Sequence, residues 1–296
     1  MRVTMLPDAP PRRRRVAVGE FDGVHLGHRA VIGDADTVLT FEPHPRAVVA
    51  PEAAPKLITP LPVKADIIAG LGVRELVVIP FDAAFASRTA GAFVDEVLVD
   101  TLGAEEVRVG ENFRFGHKAQ GDVALLRAHG GFATSVAELV EVEGEIVSST
   151  HIRGLIVAGD VERAGRFLGL PYHMRGIVQH GDERGRTLGF PTANLIPDNA
   201  HVHPGNGVYA SRAAFEEDGE WRWWPAAVSI GVRPTFVTGR GVLIEAYLIG
   251  YEGDLYGREL RLAFLKRLRG ERRFDSAEAL VAQMARDVDD AREIAI

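Results

Sequence analysis

The apolar residues of this chain change their rhythm near residue 170, and no single layered core accommodates both halves. Before that point, short β-branched runs alternate with helical stretches. Val16-Ala17-Val18, Thr37 to Phe41, Glu75 to Ile79 and Glu106 to Val109 read as strands, with helices expected over Leu61 to Leu71 and Ala90 to Thr101. Runs of that kind suit a parallel sheet covered on both faces, so the first half is expected to be an α/β domain of Rossmann-like βαβ units. Ligands in such sheets sit beyond the carboxyl ends of the strands, where Gly19 to His28 and Gly110 to Gly116 begin. A helical pattern from Ile152 to Leu168, broken at Gly159-Asp160 and closed by Gly169 and Pro171, marks the boundary. Arg175 to Gln179, Val208 to Phe215, Ala226 to Ile230, Leu243 to Ile249 and Glu259 to Phe264 then follow as short β runs between Gly-rich turns. They predict an antiparallel barrel or sandwich. A closing helix follows, with Asp275 as N-cap, Glu278 three residues on, and Leu280, Val281, Met284, Val288 and Ala291 on one stripe. The expected domains are residues 1–170 and 171–296, consistent with a prior of roughly 150 residues each.

Composition narrows the function classes. With 46% hydrophobic and 25% charged residues the chain is neither disordered nor collagen-like. It has no run of about 18 apolar residues, so no membrane span is expected. Met1 to Arg15 is basic, but Val16-Ala17-Val18-Gly19-Glu20 is too short and too soon charged for a signal-peptide core. Arg12 to Arg15 is therefore read as a solvated N-terminal arm. The absence of cysteine removes disulfides, thiolate zinc sites and thiol nucleophiles, and fits a cytoplasmic location. A net charge of −7 argues against nucleic acid as partner, while leaving room for small nucleotides held by a few local groups.

Three segments carry chemistry. In Gly19-Glu20-Phe21-Asp22-Gly23-Val24-His25-Leu26-Gly27-His28, a strand ends and a helix opens. Two imidazoles three apart at a helix N-terminus suit an anion, and His25 and His28 could donate to a reacting α-phosphoryl group. The pair alone would equally suit a metal or an open surface. Ser148-Ser149-Thr150-His151-Ile152-Arg153 opens a second helix. An ordinary N-cap explains its hydroxyls but not Arg153, whereas phosphate binding by Ser149 and Thr150, with Arg153 neutralising a departing pyrophosphate, explains all three. The third runs from Gly181 to Asn194. Its glycines permit a phosphate cradle, and Thr192 and Asn194, two apart on extended chain, can present oxygens to one hard cation.

These segments, with Thr40-Phe41-Glu42-Pro43-His44-Pro45 and Val109 to Gly116, resemble the bacterial bifunctional riboflavin kinase/FAD synthetases from about Val16 to the C-terminus. The resemblance implies FMN adenylyltransferase activity in the first domain and riboflavin kinase activity in the second, with riboflavin, FMN and FAD as substrates or products, ATP as co-substrate and Mg²⁺ as cofactor. It implies nucleotide contacts at Gly19, Phe21, Asp22, Gly27, Ser149, Thr150, Gly181, Gly185, Arg186 and Gly189, and catalytic roles for His25, His28 and Arg153. Flavin contacts fall on Pro43, Pro45 and Asn112, metal contacts on Thr192 and Asn194, and the kinase base on Glu245. The prolines equally suit strand termination, Asn112 a turn, and Glu245 a solvated strand face. The chain departs from the family in two places. Only Arg29 to Asp36 separates His28 from the next strand, where the family has a long helix, and Gly250 replaces a common Asp. Two other readings remain: a kinase with a weakened first domain, and a flavin-binding regulator without turnover. Trp221, Trp223 and Trp224 are expected to pack over a barrel end, and His201 and His203 to be loop histidines.

Overall fold

The computed structural model describes residues 1–180, 189–195, 200–235 and 239–295, so Gly181, Gly185 and Arg186 lie outside the described residues. Its contacts divide it into two compact units, Met1–Ser149 and Thr150–Ile296.

The first unit is a sheet of six strands: β1 (Arg2–Met5), β2 (Arg14–Val18), β3 (Thr37–Glu42), β4 (Glu75–Pro80), β5 (Ala104–Gly110) and β6 (Ala133–Ala137). They lie in the order β1-β4-β3-β2-β5-β6, every pair parallel. Successive residues of β2, β3 and β4 enter opposite cores. Val16, Val18, Leu39, Val77 and Ile79 pack with Phe93 and Leu98 on one face, and Ala17, Val38, Leu76 and Val78 with Ile32 and Ile68 on the other. Each such side chain contributes about 1.5–3 kcal/mol on burial, which is why the strands read as unbroken apolar runs. The order reverses at β2, which has β3 on one side and β5 on the other, so a crevice is defined beyond their carboxyl ends. The helix expected over Ala90 to Thr101 forms as Ala90–Ala92 continued by a π-helix over Phe93–Thr101. A small hairpin, β7 (Glu141–Val142) with β8 (Glu145–Ile146), follows β6.

The second unit opens with two helices, Ser149–Ala158 continuing into it and Val161–Leu168, separated at Gly159-Asp160 as the sequence predicts. Six strands then form a closed antiparallel barrel: β9 (Tyr172–Gln179), β10 (Ala193–Leu195), β11 (Gly207–Glu217), β12 (Glu220–Thr235), β13 (Gly239–Leu248) and β14 (Glu259–Arg269). Closure leaves no exposed sheet edge. The Val161–Leu168 helix buries Val161, Ala164, Phe167 and Leu168 and packs on β9 and β14. The closing helix, Ala277–Ala295, lays Val288 and Ala291 on Ala210 of β11. Its buried Asp287 accepts from Arg269 Nε and Nη2 at 3.0 and 2.7 Å. The cap is Ser276 rather than Asp275: its Oγ accepts from Ala279 N at 3.2 Å, because the helix starts one residue later than the sequence suggests. Trp224 stacks on Phe215 with ring centroids 4.6 Å apart, as expected of packing at the barrel.

Arg13 and Arg15 of the arginine run are exposed as expected, but Arg12 and Arg14 are not part of a solvated arm. Arg14 belongs to β2, is 1% exposed, and donates through Nε to Glu75 Oε2 at 3.0 Å and through Nη1 to Leu102 O at 2.8 Å. Arg12 Nη2 reaches the same carboxylate oxygen at 2.8 Å, and Thr4 of β1 donates to Oε1 at 3.3 Å. A charge run is solvated by default; here its partner stands 61 residues away on β4 and leaves no local trace. Removing the charge from such a buried pair strands the other partner at a cost of about 3–5 kcal/mol. Glu75→Gln is therefore expected to destabilise the first unit by about that amount, read as lost amide protection across Leu76 to Ile79 in hydrogen exchange while β11 of the barrel keeps its protection.

Candidate active sites

The turn after β2 is held by a carboxylate acting on backbone. Asp22 Oδ1 accepts from Ile58 N and Thr59 N at 2.9 and 2.8 Å, and Thr59 Oγ1 accepts from Gly23 N at 2.7 Å. Gly23 has φ +94°, a conformation that favours glycine. The turn delivers the chain into the helix Leu26–Ile32, two turns long as the spacing predicts, with His25 as N-cap. His25 Nδ1 accepts from His28 N at 3.2 Å, which places its proton on Nε2 and makes that nitrogen a donor. The two imidazoles stack with centroids 3.5 Å apart, and Phe21, 1% exposed, meets His28 edge-on at 5.4 Å. A Cβ at Gly27 would lie 3.2 Å from the His25 ring, so the small residue keeps that ring in place.

Burial pushes the His25 imidazole down to about 4, against the opposing pull of Asp22. Burial also pushes His28 well below its usual range, with His25 and Lys64 adding to the effect. Both rings are therefore neutral donors at pH 7, and His28 Nδ1 is buried with no hydrogen-bond partner among the described residues. Ser149, the first residue of its helix, donates to Asp22 O at 2.8 Å and so joins this turn. Thr150 and Arg153 follow on that helix, three apart and on one face, but belong by contacts to the second unit. Gly19 follows β2 directly and donates through its backbone N to Leu39 O at 3.1 Å.

Around the crevice, the Glu42-Pro43 peptide is cis, and Pro45 is the first residue of the helix Pro45–Val49, a position where proline needs no hydrogen-bond donor. Asn112 is exposed in the turn after β5. Three neighbours were not read from the sequence: Glu20, Lys64 and His44. Glu20 Oε2 meets His44 Nε2 at 3.1 Å, and burial raises the Glu20 carboxyl to about 7 despite Lys64. Lys64 sits on a helix legible only as a helix, and Glu20 inside a motif whose glycines and histidines carry the pattern.

In the barrel, a cavity of about 660 Å³ is lined among others by Val178, Thr192, Ala246, Leu248, Tyr251 and Tyr256. That volume is right for a nucleotide or a flavin. Tyr256 stacks on His180 with centroids 3.7 Å apart, and its backbone N is held by Asp254 Oδ1 at 2.9 Å. Asn194 of β10 stands directly opposite Glu245 of β13, and Glu245 in turn opposite Ser229 of β12. Such partners share a sheet face with Cβ atoms about 4.5–5.5 Å apart, so amide and carboxylate project together. Thr192 and Asn194 are neutral hard-oxygen donors beside one carboxylate, a set that fits a Mg²⁺ ion taking its remaining ligands from phosphates and water. Gly189, with φ +87°, ends the stretch of the glycine loop outside the described residues. His201 is a buried packing residue, its Nε2 3.1 Å from Tyr172 Oη, and His203 Nδ1 lies 3.1 Å from Pro204 O.

A parallel sheet with a polar switch-point crevice, joined to a closed barrel with a nucleotide-sized cavity, defines a two-domain phosphoryl- and nucleotidyl-transfer enzyme. The FAD synthetase family model matches residues 8–151 and the riboflavin kinase model residues 168–295. The chain belongs to the bifunctional riboflavin kinase/FMN adenylyltransferase family. It is 39% identical to the member from Pseudomonas fluorescens, covering 97% of this chain and 94% of that one. It is 38% identical to the member from Escherichia coli K12, covering 97% and 95%. A solved structure described as a macrolide-efflux protein from Streptococcus pneumoniae superposes with TM-score 0.88 at 29% identity, covering 99% of both chains. No helix among the described residues is long and apolar enough to cross a membrane.

The depressed His25 has a consequence for stability. A histidine whose folded pKa lies below its unfolded value of about 6.5 favours the fold in its neutral form. That stability is full above about pH 6.5 and is lost as pH falls toward the folded value of about 4. His25→Asn keeps an N-cap acceptor and removes the titration. Hydrogen exchange of the Val16 to Val18 amides between pH 7 and 4.5 is expected to show a shallower loss of stability in the variant than in the wild type.

Proposed function

We propose that this chain makes FAD in two ATP-dependent transfers, riboflavin to FMN in the barrel and FMN to FAD at the crevice of the parallel sheet. What supports the reading is the tandem of the two family matches, over residues 8–151 and 168–295. In the first transfer, the ribityl 5′-hydroxyl attacks the γ-phosphorus of ATP, the bond from that phosphorus to the β-bridging oxygen breaks, and Glu245 takes the hydroxyl proton. Thr192 and Asn194 would hold Mg²⁺, which would supply positive charge to offset that of the phosphates. Gly189 and the glycines before it would follow the phosphates with their backbone. In the second transfer, an FMN phosphate oxygen attacks the α-phosphorus of a second ATP and pyrophosphate leaves.

At that step His25 and His28, neutral and stacked, donate to the oxygens on which charge builds, and their fixed placement costs no reorganisation as the reaction proceeds. Phe21 and Asp22 act by holding those rings and their turn. Ser149, Thr150 and Arg153 take phosphate oxygens and the departing pyrophosphate, Gly19 and Gly27 leave room for the nucleotide, and Pro43, Pro45 and Asn112 border the flavin. The reaction pair belongs to the cytoplasm, where a cysteine-free chain loses nothing to reducing conditions.

Two crossed substitutions test the assignment. Glu245→Gln keeps shape and removes basicity, so FMN formation is expected to fall about 10²–10⁴-fold while FAD formation from supplied FMN persists. His28→Ala is expected to do the reverse, with FMN accumulating. Chromatographic resolution of riboflavin, FMN and FAD over time reads both, and loss of both activities in either variant would remove the division of labour.

The two activities divide at about residue 170, with the Val161–Leu168 helix serving as cover for β9 and β14. A fragment of residues 169–296 is expected to phosphorylate riboflavin alone. One of residues 150–296 is expected to do so with a higher melting temperature, because Phe167 and Leu168 stay buried. Calorimetry of the two fragments compares them.

A further inference from the structure

Lys64 is a buried cation that the two transfers leave without a part. It stands in the first turn of the helix Leu61–Gly70, and the residue is 5% exposed. Its Nζ donates to Glu20 O at 2.7 Å and to Thr40 Oγ1 at 3.3 Å. Thr40 Oγ1 donates to the same Glu20 carbonyl at 3.0 Å. One carbonyl thus gathers the end of β2, the middle of β3 and the covering helix, five residues before His25.

The carbonyl already has a donor in Thr40, so a neutral or apolar side chain at position 64 would complete the fold with no charge to bury. An ammonium here is costly, since no carboxylate lies within ion-pair distance of Lys64 among the described residues. The groups that face it are Glu20 and Asp22 from the turn, Glu42 at the end of β3, and His28 from the first helix, with His44 and Arg46 beyond Glu20. Burial lowers the lysine's pKa from its usual value, and Glu20, Asp22 and Glu42 oppose that shift only in part. The cation in turn opposes protonation of His28.

We infer that Lys64 is a positioning residue for adenylyl transfer, fixing through the Glu20 carbonyl the turn that carries His25 and His28 and setting a positive potential where phosphates gather. The inference rests on the reading of that crevice as the adenylyl-transfer site. Positioning and potential are both made before substrate arrives, which is how fixed dipoles and charges lower a barrier.

The test uses the full chain, FMN and Mg-ATP, with FAD formation followed from pH 5 to 9 and riboflavin phosphorylation by the same protein as the internal control. Lys64→Met keeps the stem and removes the charge. It is expected to lower kcat for adenylylation about 10–10²-fold and to move the acid limb of the profile to higher pH, since Glu20 and His28 both protonate more readily without the neighbouring cation. Kinase turnover stays unchanged. Lys64→Gln, which keeps a donor for the Glu20 carbonyl, is expected to recover part of the rate with the same displaced limb, and it carries the comparison if the methionine variant does not fold. Thr40→Val loosens the carbonyl and keeps the cation, so its limb stays where it is in the wild type. Normal adenylylation in Lys64→Met would overturn the inference, as would an equal loss in the Lys64 and Thr40 variants with no movement of the limb. His28→Ala separates the two levels: adenylylation that survives it refutes the site itself, whatever the lysine variants do.

Discussion

A parallel sheet buried on both faces leaves its strand ends as the places where charge can act, and the first unit is organised around that constraint. Val16, Ala17, Val18, Leu76 and Val77 have no room for a polar atom beside them. At the amino end, Arg14 and Glu75 are buried but satisfied, and their pairing ties β2 to β4 and, through Thr4, to β1. At the carboxyl end the polar groups hold backbone and one another: Asp22 the residues Ile58 and Thr59, Lys64 the Glu20 carbonyl, His25 the amide of His28. The first end is a closed ion pair. The second is under-satisfied, with His28 Nδ1 and Glu20 Oε1 buried and without hydrogen-bond partners among the described residues.

How much of this could be read from residues alone depended on the range of the interaction. The strands β2, β3, β4 and β5 announced themselves because a doubly covered strand needs consecutive apolar residues. β1 and β6 did not, being edge strands whose sequences are mixed, Arg2-Val3-Thr4-Met5 and Ala133-Thr134-Ser135-Val136-Ala137. In the barrel only Ala226 to Ile230 of the sixteen-residue β12 was legible, because its first residues, Glu220 to Pro225, alternate tryptophan with charge and end on proline. His25 and His28 stood out through local signals, a strand end, glycines and a helix start. Lys64 and Glu75 could not, since each acquires its meaning from a partner tens of residues away. The reading of Arg12 to Arg15 as solvated failed at Arg12 and Arg14 for the same reason.

The barrel solves a different problem. Six antiparallel strands close on themselves, yet β11 is buried on its outer side as well, at Ala210 and Ala214. Small residues there admit the closing helix, and the Asp287–Arg269 pair fixes it to β14. The helix's contacts fall on β11, β12 and β14, with Tyr247 of β13 packed at the same cluster, and Asn194 and Glu245 stand opposite each other in the β10–β13 ladder. Asn194 and Glu245 are thus carried by paired strands.

The aromatic residues are distributed with a sharp asymmetry. All three tryptophans and all five tyrosines fall between Tyr172 and Tyr256, within the barrel unit. The parallel sheet unit uses phenylalanine and histidine alone for its ring contacts. Ultraviolet absorption at 280 nm and intrinsic emission excited there thus belong wholly to the barrel. Tyr251 joins Trp224, 5.4 Å away, to the wall of the cavity, so a flavin ring seated there is within easy range to quench that emission. Tyrosine and tryptophan emission is thus a property of the barrel unit's own residues.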